Sequence, residues 1–280
     1  MFYRRKDGKL IDKEIPLINR MFPYVMRGRI ESMITLRESL VMTKTLKYIS
    51  ENRDSAGNKR FNYFEILIAA AMKTLNEFPH MNRFIMGGHY YQRHDLSCAF
   101  VIKTKFSVED PERNVIVKFS PGDTLDTISK RIKEAVTYGK TADEVEQDRF
   151  MHLLFKMPTA FLNFITGAMK WMDTRGWLPL SVTDMDALHV SVFIANLGSI
   201  GINDAPAHHL FEWGNCSLFI ATSRIKKDQV MDRLGEPSIQ DVMNVCFSID
   251  ERISEGYYYS RVIKRFRQLI ENPELLEEGI

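Results

Sequence analysis

A charged run near the C-terminus, residues 250–256, contains side chains that could do chemistry. Glu251 and Glu255 are four residues apart in it, and two carboxylates at that spacing could act as an acid–base pair, as in hydrolases. A simpler interpretation places Glu255 at the start of the last helix, where the helix dipole favours a carboxylate. It would then pair with one of three arginines: Arg20, Arg27 or Arg29. The role of Glu251 stays open.

The adjacent histidines His208 and His209 are the second candidate. They lie between two β-like runs, in a loop that could face a channel. A histidine beside a carboxylate such as Glu251 could form a general base with its orienting partner. The interpretation that we favour is that one ring packs or caps while the other is solvated. His189 shares a predicted strand face with Ala195, too far along the strand to reach the same atom.

Metal and disulfide sites are not predicted. A metal site can be drawn from four side chains, His208, His209, Glu212 and Glu251, but their spacing matches no known ligand pattern. The three cysteines are far apart, odd in number and embedded in apolar runs, which indicates buried free thiols in a reducing compartment. No apolar segment follows the basic start of the chain, so we expect a cytoplasmic protein.

Bulk composition excludes some function classes. The 280 residues include 38 basic and 36 acidic side chains, a formal net charge of +2, and this balance argues against a nucleic-acid-binding protein. A hydrophobic fraction of 45% allows a sizeable core.

The apolar segment 150–177 is long enough to cross a bilayer, but Lys156, Pro158 and Lys170 interrupt it. Each lysine near the middle of a span would cost roughly 2.5–3.5 kcal/mol. We therefore expect a packed helical pair. Peripheral contact with a membrane or partner is the alternative that we do not favour.

The elements that would position these residues follow from periodicity. Helices are predicted over residues 62–78, after Asp123, and over 255–270. Extended runs are predicted over 29–40, 83–92, 96–103, 189–196, 216–222 and 242–249. The runs 83–92 and 96–103 form a predicted hairpin. Helices mixed with such strands indicate an α/β or α+β layered domain.

Three segments resemble the catalytic domain of the dihydrolipoyl acyltransferases and of chloramphenicol acetyltransferase, in order and spacing as well as in letters. They are Phe-Pro-His-Met-Asn-Arg at 78–83, Phe-Ile-Ala-Asn-Leu-Gly-Ser-Ile-Gly at 193–201, and Ile-Asp-Glu-Arg-Ile-Ser-Glu-Gly at 249–256 followed by a helix and Pro-Glu-Leu-Leu at 273–276. The second is similar to the family's Thr-Ile-Ser-Asn-Leu-Gly-x-x-Gly, and the third to its Asp-His-Arg-x-x-Asp-Gly.

The resemblance implies one acyltransferase-like domain over residues 1–280, with a core at about 20–276 and an apolar helical insertion at about 140–185. The implied fold is a two-layer α/β structure with a chloramphenicol-acetyltransferase-like mixed sheet and helices packed on one face. It also implies a homotrimer in which two subunits form a channel for coenzyme A, or acyl-CoA, and a small acyl acceptor.

Two chemically active family positions are changed. The motif histidine, a general base, is Glu251, and the serine that stabilises the oxyanion is Ala195; the structural aspartate is Glu255. An unperturbed glutamate would face about 5.7 kcal/mol in taking a proton from a thiol, against about 2.7 kcal/mol for histidine. The matching motif positions are Asp250, Arg252, Gly256, Asn196 and Gly198.

The resemblance assigns coenzyme-side positions to Asn196, Gly198 and Ser199, and the Ser199 hydroxyl or the backbone near Gly198 could replace the lost oxyanion donor. The sequence therefore predicts either an acyltransferase with a rearranged site, in which Glu251, His208 or His209 acts as base, or an inactive trimeric scaffold of the same fold.

Overall fold

A mixed sheet of seven strands forms the centre of the molecule. The computed structural model describes residues 5–103, 112–141, 152–231 and 234–280. The strands are β1 Gly8–Leu10, β2 Met33–Val41, β3 Arg83–Met86, β4 His89–Arg93, β5 Leu96–Lys103, β6 Glu112–Phe119, β7 Val192–Asn196, β8 Leu218–Thr222, β9 Lys226–Met231 and β10 Pro237–Asp250. The central order is β2-β10-β8-β7-β5-β6, with β9 paired to the first half of β10. Strands β5, β7 and β8 are parallel and the other pairs in this sheet are antiparallel.

The α-helices are α1 Phe22–Val25, α2 Thr43–Glu51, α3 Tyr63–Glu77, α4 Leu125–Thr141, α5 Thr159–Thr174, α6 Leu180–Thr183 and α7 Gly256–Glu271. Helix α3 begins with a capping box, in which Asn62 and Glu65 bind each other's backbone N–H groups. It ends before Pro79, as the sequence predicts. Every residue from 65 to 75 is buried, so α3 is the central helix of the core.

The two faces of the sheet are covered differently. Ile194, Ile220 and Phe247 belong to the main core with the apolar faces of α2, α3, α4 and α7. Phe193 and Phe219 point to the opposite face, where they pack with residues before and after β7, among them Val190, Leu210 and Cys216. Period-two alternation along β7 and β8 produces this division. The predicted two-layer fold is confirmed.

The structure corrects the predicted hairpin. Residues 83–92 do not form one strand: β3 and β4 are antiparallel strands joined at Gly87 and Gly88, which have φ values of 62° and 81°. Such positive φ angles are sterically accessible to glycine, so the chain reverses there. Strands β1, β4 and β3 form a separate small sheet.

The prediction of buried thiols holds for all three cysteines. Cys98, Cys216 and Cys246 are buried free thiols. Part of the predicted insertion at 140–185, residues 142–151, lies outside the described residues, and the rest contains the last two residues of α4 together with α5 and α6. No helix in the described part of the chain is both long and apolar enough to cross a membrane.

Candidate active site

The turn after β7 is built by its glycines. A Cβ atom on Gly198 would lie 2.4 Å from the carbonyl oxygen of Ser223, so the two chain segments approach closely only because residue 198 has no side chain. Gly201 ends the turn with a φ of 86°. The Ser199 hydroxyl donates to the carbonyl of Asn196 at 2.7 Å. The Asn-Leu-Gly-x-x-Gly pattern therefore shapes a rigid turn that presents Asn196.

The side chain of Asn196 is held by two hydroxyl groups. Tyr63, at the start of α3, donates to its Oδ1 at 3.0 Å, and the fully buried Thr222 donates to the same atom at 3.4 Å. With Oδ1 occupied, the Nδ2 amide is the end of the side chain that can donate to a bound molecule. In the part of the chain that the structure describes, Nδ2 has no acceptor.

An open cleft of about 950 Å³ lies beside this turn. Its walls carry aromatic and aliphatic side chains, among them Phe100, Phe193 and Phe219. Its polar groups include Asn196, Ser199 and His208, so the structure brings these three predicted residues and Ala195 to one cavity. Apolar walls with a few polar groups are typical of small-molecule sites.

His208 lies flat against the cleft wall. Its ring stacks on Phe219 with centroids 4.0 Å apart. Its Nδ1 is 2.7 Å from the carbonyl oxygen of His209. A carbonyl oxygen only accepts, so in the neutral ring Nδ1 carries the proton and Nε2 presents a lone pair. His208 can thus act as a base.

His209 does not line this cleft. Its exposed ring contacts Phe211, and its Nδ1 donates to the carbonyl of Leu210 at 2.9 Å. The sequence interpretation in which one histidine packs and the other is solvated fits the locations of the two rings.

The loop after β10 is held by a buried ion pair. Asp250, fully buried, forms two 2.7 Å hydrogen bonds with the guanidinium of Arg252, whose Nη1 donates to the carbonyl of Met26 at 2.8 Å. The backbone N–H of Glu251 donates to Ser32 at 2.9 Å. The carboxylate of Glu251 is half-buried and does not line the cleft of its own chain. Glu251 and His208 therefore do not meet within one chain.

The predicted ion pair of Glu255 with an arginine is wrong. Glu255 precedes Gly256 at the start of α7 and is exposed, and no basic side chain among the described residues lies within 4.0 Å of it. Arg20 and Arg29 instead donate to main-chain carbonyls, those of Ile15 and Phe211.

The sequence patterns did not reveal a buried network of charged side chains behind the cleft. His189 is not on β7 but precedes it, and its ring lies between two carboxylates: Nε2 is 3.0 Å from Asp173 and Nδ1 is 2.9 Å from Asp186. Arg5 binds the other oxygen of Asp173 at 2.8 Å. Asp186 itself lines the cleft. The three-residue spacing of Asp186 and His189 was the available sequence signal.

Contacts within this network shift the pKa values of His189, Asp173 and Asp186. Burial alone would lower the pKa of His189, but its hydrogen bonds to Asp173 and Asp186 outweigh burial and raise the pKa above its usual value. Burial would raise the pKa of both carboxyl groups, but contact with His189 lowers it. These shifts favour the charged forms of all three side chains.

His80, within the first motif, was also missed. Its ring stacks on Tyr258 with centroids 4.4 Å apart, and its Nδ1 is 3.4 Å from the hydroxyl of Ser254. Burial, and then the nearby Arg83, lower the pKa of His80. In the described ranges, no group of three or more His, Cys, Asp or Glu side chains could hold a metal ion.

Comparison with known proteins agrees with this architecture. Residues 180–277 match the sequence model of the 2-oxoacid dehydrogenases acyltransferase (catalytic domain). A crystal structure of a probable dihydrolipoamide acetyltransferase from Listeria monocytogenes is 16% identical, with a TM-score of 0.58 and 95% of each chain covered. A structure of chloramphenicol acetyltransferase is 12% identical, with a TM-score of 0.59, covering 94% of this chain and 99% of that one. The chain has the acyltransferase fold.

A curated relative with a longer chain is also similar. It is the lipoamide acyltransferase component of the branched-chain alpha-keto acid dehydrogenase complex of Bacillus subtilis, 22% identical over 238 residues. That match covers 82% of this chain but 45% of the relative, so the acyltransferase fold corresponds to less than half of the relative's length. The resemblance predicted from the three segments is confirmed.

Proposed function

We propose that this chain is a coenzyme A-dependent acyltransferase whose chemistry is rearranged onto His208 and Asn196. The observation that carries the proposal is that these two side chains line one cleft, the first with a basic Nε2 and the second with an amide donor. Both functions lost from the family motifs, a base and an oxyanion donor, thereby have replacements in one cavity.

The step that we propose is acyl transfer to a thiol or hydroxyl. Nε2 of His208 takes the acceptor's proton as its sulfur or oxygen attacks the thioester carbonyl carbon of acyl-CoA. The tetrahedral intermediate then expels the coenzyme A thiolate, to which the imidazolium returns the proton. The acyl group ends on the acceptor and coenzyme A leaves as the free thiol.

Asn196 would stabilise the oxyanion of that intermediate through Nδ2, in place of a hydroxyl at Ala195. A single oxyanion donor is worth about 2.7–4 kcal/mol of barrier. Tyr63 and Thr222 hold the amide before substrate binds, which lowers the cost of reorganisation. Two lysines that also line the cleft, Lys103 and Lys140, are the cations that we assign to the phosphates of coenzyme A.

A homotrimer would complete the site. Glu251 lies outside the cleft of its own chain, and the resemblance implies a channel between two subunits. We propose that Glu251 of one subunit faces the cleft of the next, where its carboxylate orients a histidine or the acceptor.

The replacement of the oxyanion serine by Ala195 favours a second candidate, an inactive trimeric scaffold of the same fold. Titration calorimetry with acetyl-CoA and longer acyl-CoA thioesters, followed by thiol release with a panel of acceptors, separates the two. We expect the wild type to bind acyl-CoA and to release thiol. His208→Gln should lower this turnover at least about a hundredfold, whereas His209→Gln should change it little. Binding without turnover would support the scaffold, and absence of binding to any coenzyme A thioester would reject the acyltransferase.

A further inference from the structure

Large aromatic side chains remain in solvent on α5 and the turn that follows it. Phe161, Phe164, Trp171 and Trp177 are 47%, 70%, 50% and 47% exposed. The first three lie on one side of the helix, at helical spacing. A packed helical pair, as predicted from the sequence, would bury these rings. A cluster of exposed aromatic residues of this size marks an interaction surface.

This helix is fixed to the rest of the molecule. Its last turn carries the buried Asp173, whose carboxylate binds Arg5 at 2.8 Å and His189 at 3.0 Å. The edge-to-face contact between Trp171 and Trp177, with centroids 5.1 Å apart, joins the helix to the following turn. The aromatic rings are therefore held outward by a packed structure, and their exposure does not come from a frayed end.

The exposed charged side chains of this segment, residues 152–183, are basic. Lys156 and Lys170 are exposed, and the guanidinium of Arg175 lies 4.0 Å from the centre of the Trp171 ring. Along residues 152–183 the only acidic side chain is Asp173, which is buried and paired, and the next one along the chain, Asp184, pairs with Lys118. Three cations in a segment without an exposed acid favour a negatively charged partner.

We propose that this surface adsorbs in the plane of an anionic lipid bilayer. Tryptophan and phenylalanine rings insert at the boundary between headgroups and acyl chains, and lysines contact anionic headgroups. In-plane adsorption also agrees with the absence, among the described residues, of a helix that could span a membrane. A second copy that met this surface across a two-fold axis would place these cations against each other, and contact with a copy in the proposed trimer is an outcome of the test below.

The test uses the full chain with vesicles of phosphatidylcholine, with and without phosphatidylserine. We expect co-sedimentation with the anionic vesicles only, weakening as salt rises. Two of the protein's three tryptophans lie on the surface, so their emission should shift to shorter wavelength on binding. Absence of binding to anionic vesicles overturns the proposal.

Two double variants locate the contact. Phe161→Ser with Phe164→Ser should abolish binding while keeping both tryptophan reporters. Lys156→Glu with Lys170→Glu should lower partitioning about tenfold or more, since each cation contributes separately. Both changes affect exposed residues, and a thermal melt checks that the fold is retained.

A matched pair of charge reversals on other helices, Lys130→Glu with Lys264→Glu, should leave binding unchanged. The surface is rejected as the membrane contact if this control loses as much vesicle binding as the lysine variant. It is also rejected if the phenylalanine variant binds vesicles as well as the wild type does. If instead the wild type ignores vesicles and the phenylalanine variant has a smaller mass in solution, the surface joins copies of the chain. Thiol release from acyl-CoA is not expected to change in any of these variants, so the outcome is independent of the proposed acyl transfer.

Discussion

The imidazole ring of His208 is parallel to the phenyl ring of Phe219, with an angle of 6° between their planes. Phe219 in turn stacks on Phe193 at 4.8 Å, so a column of three rings supports the proposed base. An aromatic contact of this kind is worth about 0.5–1.5 kcal/mol beyond the area that it buries.

Phe219→Leu should therefore lower kcat for acyl transfer about two- to tenfold, since the imidazole loses its flat support. Affinity for acyl-CoA, measured by calorimetry, should change less. Phe247→Leu removes an aromatic contact on the opposite face of the sheet and controls for lost stability. Equal turnover of the two variants would show that the ring column does not position His208.

Asn196→Asp keeps an oxygen that accepts from Tyr63 and Thr222 but removes the amide donor. We expect kcat to fall about a hundred- to thousandfold with acyl-CoA binding retained. Tyr63→Phe should cause a smaller loss, because the donor remains and only its orientation is relaxed. Asn114→Asp, at another position on the cleft wall, is the matched control. Full turnover by Asn196→Asp would exclude this amide as the oxyanion donor.

Gly198→Ala should destabilise the protein by about 1–3 kcal/mol, since its methyl group must displace the backbone at Ser223. Gly167→Ala, on α5 with no atom within 4 Å of the added Cβ, should instead stabilise by about 0.5–1 kcal/mol. Denaturant unfolding of both variants measures the difference. A Gly198→Ala protein as stable as the wild type would contradict the close approach of the two segments.

The His189 network predicts a specific pH dependence of stability. The folded pKa of His189 is raised, so its contribution is complete below the unfolded value of about 6.5 and is lost as pH rises through the folded pKa. The folded pKa values of Asp173 and Asp186 are lowered. Their contribution to stability is therefore complete above about pH 4 and is lost as pH falls through the folded pKa values.

His189→Gln should therefore cost the most stability between about pH 4 and 6.5, and less at higher pH. The measurement is the free energy of unfolding against pH. His94→Gln, at an exposed position, is the control for the loss of an imidazole. A constant difference for His189→Gln would mean that the cluster is not charged in the folded protein.

Local patterns predicted the helices well, because α3, α4 and α7 are specified by the spacing of apolar residues along one stretch of chain. The roles of the glycines in the turn at 198–201 could also be predicted, because a requirement for a residue without a side chain or for a positive φ is a local property. Contacts between segments that are far apart in the sequence could not be predicted. The hydrogen bond of Tyr63 with Asn196 joins residues 133 apart, and that of Arg5 with Asp173 joins residues 168 apart. The periodicity of a segment predicts which face its side chains occupy, but it does not predict which other segment they contact.

The pairing of β2 with β10 has a consequence for how the protein is made. Ser32, just before β2, accepts the N–H of Glu251 and donates its hydroxyl to Asp250, across 218 residues of chain. Closing so long a loop is slow, and contacts of high sequence separation form late in folding. During translation, residues 242–250 of β10 can pair with β2 only after the two hundred or so residues that separate the two strands have been made.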